Sequence, residues 1–253
     1  MLVVGGLACI LGLALHQWLT PIIAGIGNKI KYSEEELVLL ELYEFTEIEN
    51  GYSIASREEE LSGIITIPYE FDDKPIVTIA DNAFKDCKNI TEIIIPETVT
   101  HVGAYAFGGC ENLTTVEFSS NTSYIGLGAF SNCVSITEIH LPESLVEIER
   151  GNFTEYGAFE GCTALKKLYI NSTSLIIPYH AFGECTMLEN IYIANKNGVS
   201  EMGIYAFANA TNIKNIYFGG TANEWEGIII DETAFHEECK ITVHCEDGEI
   251  EFH

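Results

Sequence analysis

The run Ile79-Ala80-Asp81-Asn82-Ala83-Phe84-Lys85-Asp86-Cys87-Lys88-Asn89-Ile90-Thr91-Glu92-Ile93-Ile94-Ile95-Pro96 decides the fold of this 253-residue chain, because its anchors keep returning. Ala-Phe recurs at Ala83-Phe84, Ala106-Phe107, Ala129-Phe130, Ala158-Phe159, Ala181-Phe182, Ala206-Phe207 and Ala234-Phe235. Successive Phe residues lie 23, 23, 29, 23, 25 and 28 positions apart. Three residues after Phe stands Cys87, Cys110, Cys133, Cys162 or Cys185, with Ala210 in the sixth copy. Three further on comes an aliphatic residue: Ile90, Leu113, Ile136, Leu165, Leu188 or Ile213. A short strand then follows, with its outer members pointing inward by the two-residue period. These strands are Ile93–Ile95, Val116–Phe118, Ile139–Leu141, Leu168–Ile170, Ile191–Ile193 and Ile216–Phe218.

A single such unit cannot bury its Phe, Leu and Ile, whereas units stacked on one another close a continuous core. All six strands are therefore expected to stack in parallel. Phe fills the turn, Ala before it allows the chain to bend closely, and Cys is a small buried hydrophobe in its own column. Pro96 and Pro142 end their strands, because proline has no N–H to donate. Later units carry Asn171, Ala194 and Gly219 at that place. The fourth unit has an insertion, Glu149 to Tyr156, expected to form a loop on one rim.

The pattern Ile79-x-x-x-Ala83-Phe84-x-x-Cys87-x-x-Ile90-x-x-Ile93-x-Ile95-Pro96-x-x-Val99 resembles the BspA-like leucine-rich repeat, and the match runs over about Ile64 to Phe235. Tyr52-Ser53-Ile54, Ile64 to Pro68 and Pro75 to Ile79 are similar to the N-terminal coil of such proteins, and Tyr217 to Thr221 with Glu224-Trp225 to their closing coil. The resemblance implies a β-rich solenoid, a right-handed leucine-rich-repeat coil with parallel short strands, and the apolar run at the N-terminus is read as a helix preceding it. The resemblance implies an N-terminal coil over 41–78, repeats over 79–218 and a closing coil over 219–253, and the stretch 28–40 before them is read as an acidic linker. It also implies a cell-surface or secreted protein that attaches to a protein or glycan partner; no catalytic motif stands out beside it, and no enzyme is expected. A passive repeat spacer and an enzyme's targeting module are the alternatives.

Leu2 to Leu15 is uninterrupted apolar or Gly sequence and Trp18 to Gly27 resumes it. Residues 1–27 are read as a signal peptide or membrane anchor helix. No Lys or Arg precedes the apolar run, while Lys29 and Lys31 follow it, and the positive-inside bias taken alone places the remainder in the cytoplasm. Orientation stays open.

Acidic residues outnumber basic ones 38 to 12, a net charge of -26 that repels phosphate backbones and speaks against nucleic acid as a partner. The acids concentrate between Glu34 and Glu60 and between Glu224 and Glu251, as solubilising ends without the spaced oxygens of a calcium loop. No paired Cys or His spacing suits zinc, and no phosphate loop or nucleophile-base pair stands out, so no cofactor or metal is expected. One Cys per coil at fixed phase is a buried column of free thiols, while Cys239 and Cys245, off phase, are a candidate staple across the last coil.

Core demands do not fix the outward strand positions. They read Ile94, Glu117, His140, Tyr169, Tyr192 and Tyr217, with Glu92, Thr115, Glu138, Lys167, Asn190 and Asn215 two residues before each. Three tyrosines align, and tyrosine suits contact surfaces and can stack on sugars or peptide groups. His140, Lys167, Tyr169, Asn190, Tyr192, Asn215 and Tyr217 are the candidate binding residues. The plainer account is that cross-strand aromatic pairs stabilise the sheet.

Overall fold

The computed structural model describes residues 33–57, 61–152 and 154–252. The expected membrane or signal segment, 1–27, lies outside these residues. Among the described residues no helix is long and apolar enough to cross a membrane.

The described residues open with helix α1 (Glu34–Leu42), which begins in the segment expected as an acidic linker and runs two residues into the expected N-terminal coil. Ser33 caps it: its hydroxyl accepts from the Glu36 N–H, and the Glu36 carboxylate accepts from the Ser33 N–H at 2.6 Å. Strands β1 (Tyr43–Ile48) and β2 (Gly51–Ser56) then form an antiparallel hairpin. From there the chain winds between two faces, front and back. It passes through β3 (Ser62–Thr66, front), the short β4 (Glu70–Phe71), β5 (Lys74–Ile79, back), β6 (Asn89–Ile94, front) and β7 (His101–Val102, back). It continues through β8 (Thr115–Glu117, front), β9 (Tyr124–Ile125, back), β10 (Glu138–Leu141, front) and β11 (Glu147–Ile148, back). The later coils hold β12 (Lys167–Ile170, front), β13 (Leu175–Ile177, back), β14 (Asn190–Ile193, front), β15 (Val199–Met202, back) and β16 (Asn215–Phe218, front). Helix α2 (Ala222–Trp225), β17 (Ile229–Ile230, back), β18 (Ile241–Cys245, front) and β19 (Gly248–Phe252) close the chain.

Parallel pairing of successive coils makes this a β-solenoid, as the repeat pattern requires. The front strands do not form one ladder, however. They stack in parallel as expected, but their hydrogen-bonded ladders are two, β3-β6-β8 and β10-β12-β14-β16-β18-β19. Proline removes one bond at the edge of the break, though β3 and β6 stay paired beside Pro96. Asn171, Ala194 and Gly219 use their N–H groups to reach Leu141, Ile170 and Ile193 one coil back, at 3.3, 3.0 and 2.9 Å. Pro142, at the same place above Phe118, has no N–H to give. Phe118 also stands where neighbours have Ile or Leu, its ring edge-on to Phe130 at 5.5 Å. The back strands split one coil later, between β11 and β13, where the described residues of the insertion, 149–152 and 154–156, lie outside the strands.

The core is a set of columns. Phe84, Phe107, Phe130, Phe159, Phe182 and Phe207 are fully buried, and with Phe235 they stack at centroid separations of 4.9 to 5.6 Å. Each Phe N–H from Phe84 to Phe207 donates to the Ala carbonyl one coil on, at 2.7 to 2.9 Å, so the small Ala lets backbone meet backbone at the turn. Aromatics from antiparallel hairpins cover both ends of the column: Tyr43 lies edge-on to Phe84 and Phe252 edge-on to Phe235. Such end covers are what a stacked array needs to keep its terminal faces out of water.

The cysteine column is more than apolar filler. Cys110, Cys133, Cys162 and Cys185 each donate S–H to the Phe carbonyl one coil back, at 3.1 to 3.3 Å. Cys239, off phase in the sequence, is buried too but donates to the Ala210 carbonyl at 3.5 Å in place of a Phe carbonyl. It and Cys245 are free thiols and form no staple across the last coil.

Candidate functional site

Alternation along the later front strands sorts their side chains. Ile139, Leu141, Leu168, Ile170, Ile191, Ile193, Ile216 and Phe218 are buried, which turns the residues between them outward. Parallel register then aligns the outward residues across coils. One column runs Glu138, Lys167, Asn190, Asn215; the other runs His140, Tyr169, Tyr192, Tyr217. All seven candidate binding residues therefore lie on one face of one sheet.

The aromatic column is longer than the sequence suggested. β18 pairs with β16 so that His244 follows Tyr217 and Thr242 follows Asn215. Centroid separations from His140 to Tyr169, Tyr192, Tyr217 and His244 are 4.2, 4.5, 4.8 and 4.7 Å, with planes within 8 to 11° of parallel. The signal that could have found His244 is the alternation Ile241-x-Val243-x, in which Val243, the partner of Ile216, lies eight residues after Phe235 instead of nine because this coil is one residue shorter there.

Polar neighbours hold the five rings in place. Lys167 Nζ donates to Glu138 Oε1 at 2.7 Å, which lowers the Glu138 pKa below the ordinary carboxylate range and raises that of Lys167. His140 Nε2 lies 3.7 Å from the same carboxylate. Asn215 Nδ2 donates to Asn190 Oδ1 at 2.9 Å, and Asn215 Oδ1 meets His244 Nε2 at 3.1 Å. The other imidazole nitrogen of His244, Nδ1, lies 3.0 Å from Glu249 on β19. Burial, followed by the neighbouring phenols Tyr169 and Tyr217, raises the pKa of the Tyr192 phenol.

Face-to-face stacking changes what the column offers. Each interior ring has a neighbour against both faces, so it presents its edge to solvent, and each tyrosine adds a hydroxyl. Stacking of a sugar on open tyrosine faces, as the sequence suggested, has no room here. At the C-terminal ends of β14, β16 and β18 the face opens into a shallow depression of about 350 Å³, bordered by Tyr192, Tyr217, His244 and Glu246. Ala194 and Gly219, small residues standing where two earlier coils have Pro96 and Pro142, also line it. Gly219 is obligatory for the backbone approach: a Cβ there would sit 2.2 Å from the Ala194 carbonyl oxygen.

A second aromatic group, missed in the sequence, lies on the turn rim. Tyr179 stacks on His180 at 4.5 Å, and Tyr205 meets both edge-on. Tyr105, His180 and Tyr205 all precede Ala of the turn with φ near +50°, a left-handed conformation that bulky residues seldom adopt. Among the described residues no group of three or more His, Cys, Asp or Glu could hold a metal ion.

Residues 77–157 and 154–242 match the family model of the BspA type leucine rich repeat region, in six copies. No curated protein matches. Among solved structures, the leucine rich repeat protein of T. pallidum is similar at 22% identity, with a TM-score of 0.60 over 70% of this chain and 79% of its own. A leucine rich cell surface protein from Faecalibacterium prausnitzii reaches a TM-score of 0.50 at 22% identity, over 75% of this chain and 41% of its own. The pneumococcal vaccine antigen PcpA reaches 0.53 at 16% identity, over 76% of this chain and 46% of its own. The chain thus spans less than half the length of these last two proteins, and at such identities the likeness concerns the fold. The repeat itself identifies the lineage: this chain belongs to the BspA type leucine-rich repeat family.

Proposed function

We propose that this chain is a non-enzymatic binding protein, displayed at the cell surface or secreted, that holds its partner against the sheet face of β10, β12, β14, β16 and β18. The observation that carries the reading is the column His140, Tyr169, Tyr192, Tyr217 and His244: five aromatic rings in line on an outward face where the core demands none of them. Tyrosine gives large contact area at low entropic cost and is enriched at interfaces. Family membership and the similarity to a leucine rich cell surface protein support an extracellular setting. Attachment to host surfaces or to other cells belongs to the same reading, by analogy with the family.

The test compares wild type with a variant carrying Tyr169→Ala, Tyr192→Ala and Tyr217→Ala in binding to whole cells and to matrix-coated surfaces. At least a tenfold loss is expected for the variant, with its circular dichroism retained. Unchanged binding would remove this face from consideration. One observation favours the passive spacer instead: stacked rings stabilise a sheet by themselves, by about 0.2–1 kcal/mol per pair. A variant that melts earlier yet binds as wild type would establish that reading. Display outside the cell is checked separately, by digestion of the repeats when protease is added to intact cells.

A further inference from the structure

We infer that the partner segment held on this face is a basic, extended stretch of polypeptide. The inference rests on the preceding reading of the sheet face as a contact surface, and adds the chemistry of the segment that lies on it.

Charge points to a basic segment. Among the described residues, ion pairs between coils occupy five lysines: Lys74 with Glu47, Lys88 with Glu111, Lys167 with Glu138, Lys196 with Glu224 and Lys214 with Glu189. A surplus of carboxylates remains, part of a net charge of -26. On the ladder face, Lys167 is spent on Glu138, while Glu246 borders the depression and Glu249 and Glu251 stand on β19 beside His244 and Thr242. At the other end, Glu117 is exposed at the outward position of β8. Such a face repels sulfated, sialylated or other anionic glycans and draws in lysine and arginine.

Ring geometry points to an extended peptide, independently of charge. Neutral sugars are held chiefly by stacking on open aromatic faces, and at separations of 4.2 to 4.8 Å the interior faces of this column are closed. Row-wise tyrosine hydroxyls and ring edges suit a chain that brings its own carbonyls and N–H groups, as an extended peptide does. The depression between Tyr217, His244 and Glu246 is open enough to receive a long side chain: an aliphatic stem against the rings, and its charged head at the carboxylate.

The experiment titrates the full chain with a sixteen-residue lysine-rich peptide, a glutamate-rich peptide of the same length, heparin and a neutral oligosaccharide. Saturable binding of the lysine peptide alone is expected. It should weaken at least tenfold from about 0.1 M to about 1 M salt, as the screening length falls from about 10 Å to about 3 Å. Glu246→Gln with Glu249→Gln should weaken it by about fivefold per exposed charge, and the triple tyrosine variant should abolish it. Heparin or the oligosaccharide bound in place of the lysine peptide, and lost in the tyrosine variant, would overturn the basic-segment inference while sparing the contact face. Lysine-peptide binding that survives in the tyrosine variant would overturn both. No binding of the lysine peptide, or binding indifferent to salt and to the glutamine substitutions, would also overturn the inference.

Discussion

Phe130 shows what one residue contributes to a stacked core. It is fully buried, with Phe107 and Phe159 parallel to it at 5.2 Å on either side. Phe130→Ala should cost about 3–5 kcal/mol, read as a shift in the urea midpoint, whereas Phe235→Ala, at the half-buried end of the column, should cost visibly less. Equal costs would mean that the column does not act through stacking. The thiols give a pH signature. Burial pushes Cys110 and Cys162 from the ordinary 9.0 up to about 12, and raises Cys133 and Cys185 likewise. The folded chain then holds these protons more tightly than the unfolded one, so their stabilisation is complete below pH 9 and is lost as pH rises towards 12. Melting temperature should fall across that window, and replacing Cys110 and Cys162 by Val should flatten the fall. The positions of Phe and Cys were legible in the sequence because an identical burial demand recurs every coil. The S–H donation to the Phe carbonyl was not, since an apolar packing role and a donor role select the same small residue.

Between elements, the decisive contrast lies in the residue directly after each front strand. Where it is proline, the neighbouring coil loses a donor; where it is Asn171, Ala194 or Gly219, a hydrogen bond ties the coils together. Gly219→Ala is the sharpest probe, because its Cβ would collide with the Ala194 carbonyl. Such overpacking should cost about 1–3 kcal/mol, measurable as a lowered melting temperature, and displaced backbone would narrow the depression beside Tyr217. An unchanged melting temperature would show that β14 and β16 part more easily than their bonding implies. The outward columns as far as Tyr217 could be read from period and register alone. His244 could not, because β18 comes after a shortened coil, and the break at Phe118 depends on how one ring packs against Phe130. The closing of the ring faces was also hidden, since sequence gives alignment but not the tilt of neighbouring planes.

For the whole molecule, charge and stacking oppose each other. With 38 acidic and 12 basic residues, self-repulsion works against the compact state, and exposed ion pairs between coils return only about 0–1 kcal/mol each. Raising salt from about 10 mM to about 0.15 M shortens the screening length from about 30 Å to about 8 Å and should raise the melting temperature by a few degrees. A fall would mean that the inter-coil pairs outweigh the repulsion. The two ladder interruptions bear on how the solenoid resists tearing. The front gap lies between β8 and β10, where β9 and β11 remain paired at the back; the back gap lies between β11 and β13, where β10 and β12 remain paired in front. The seams are offset like the joints in a brick wall, so a crack entering through one gap runs into an intact course on the opposite side. Pulling on the ends therefore finds no single weak plane, and the coils on either side of the gaps should give way together.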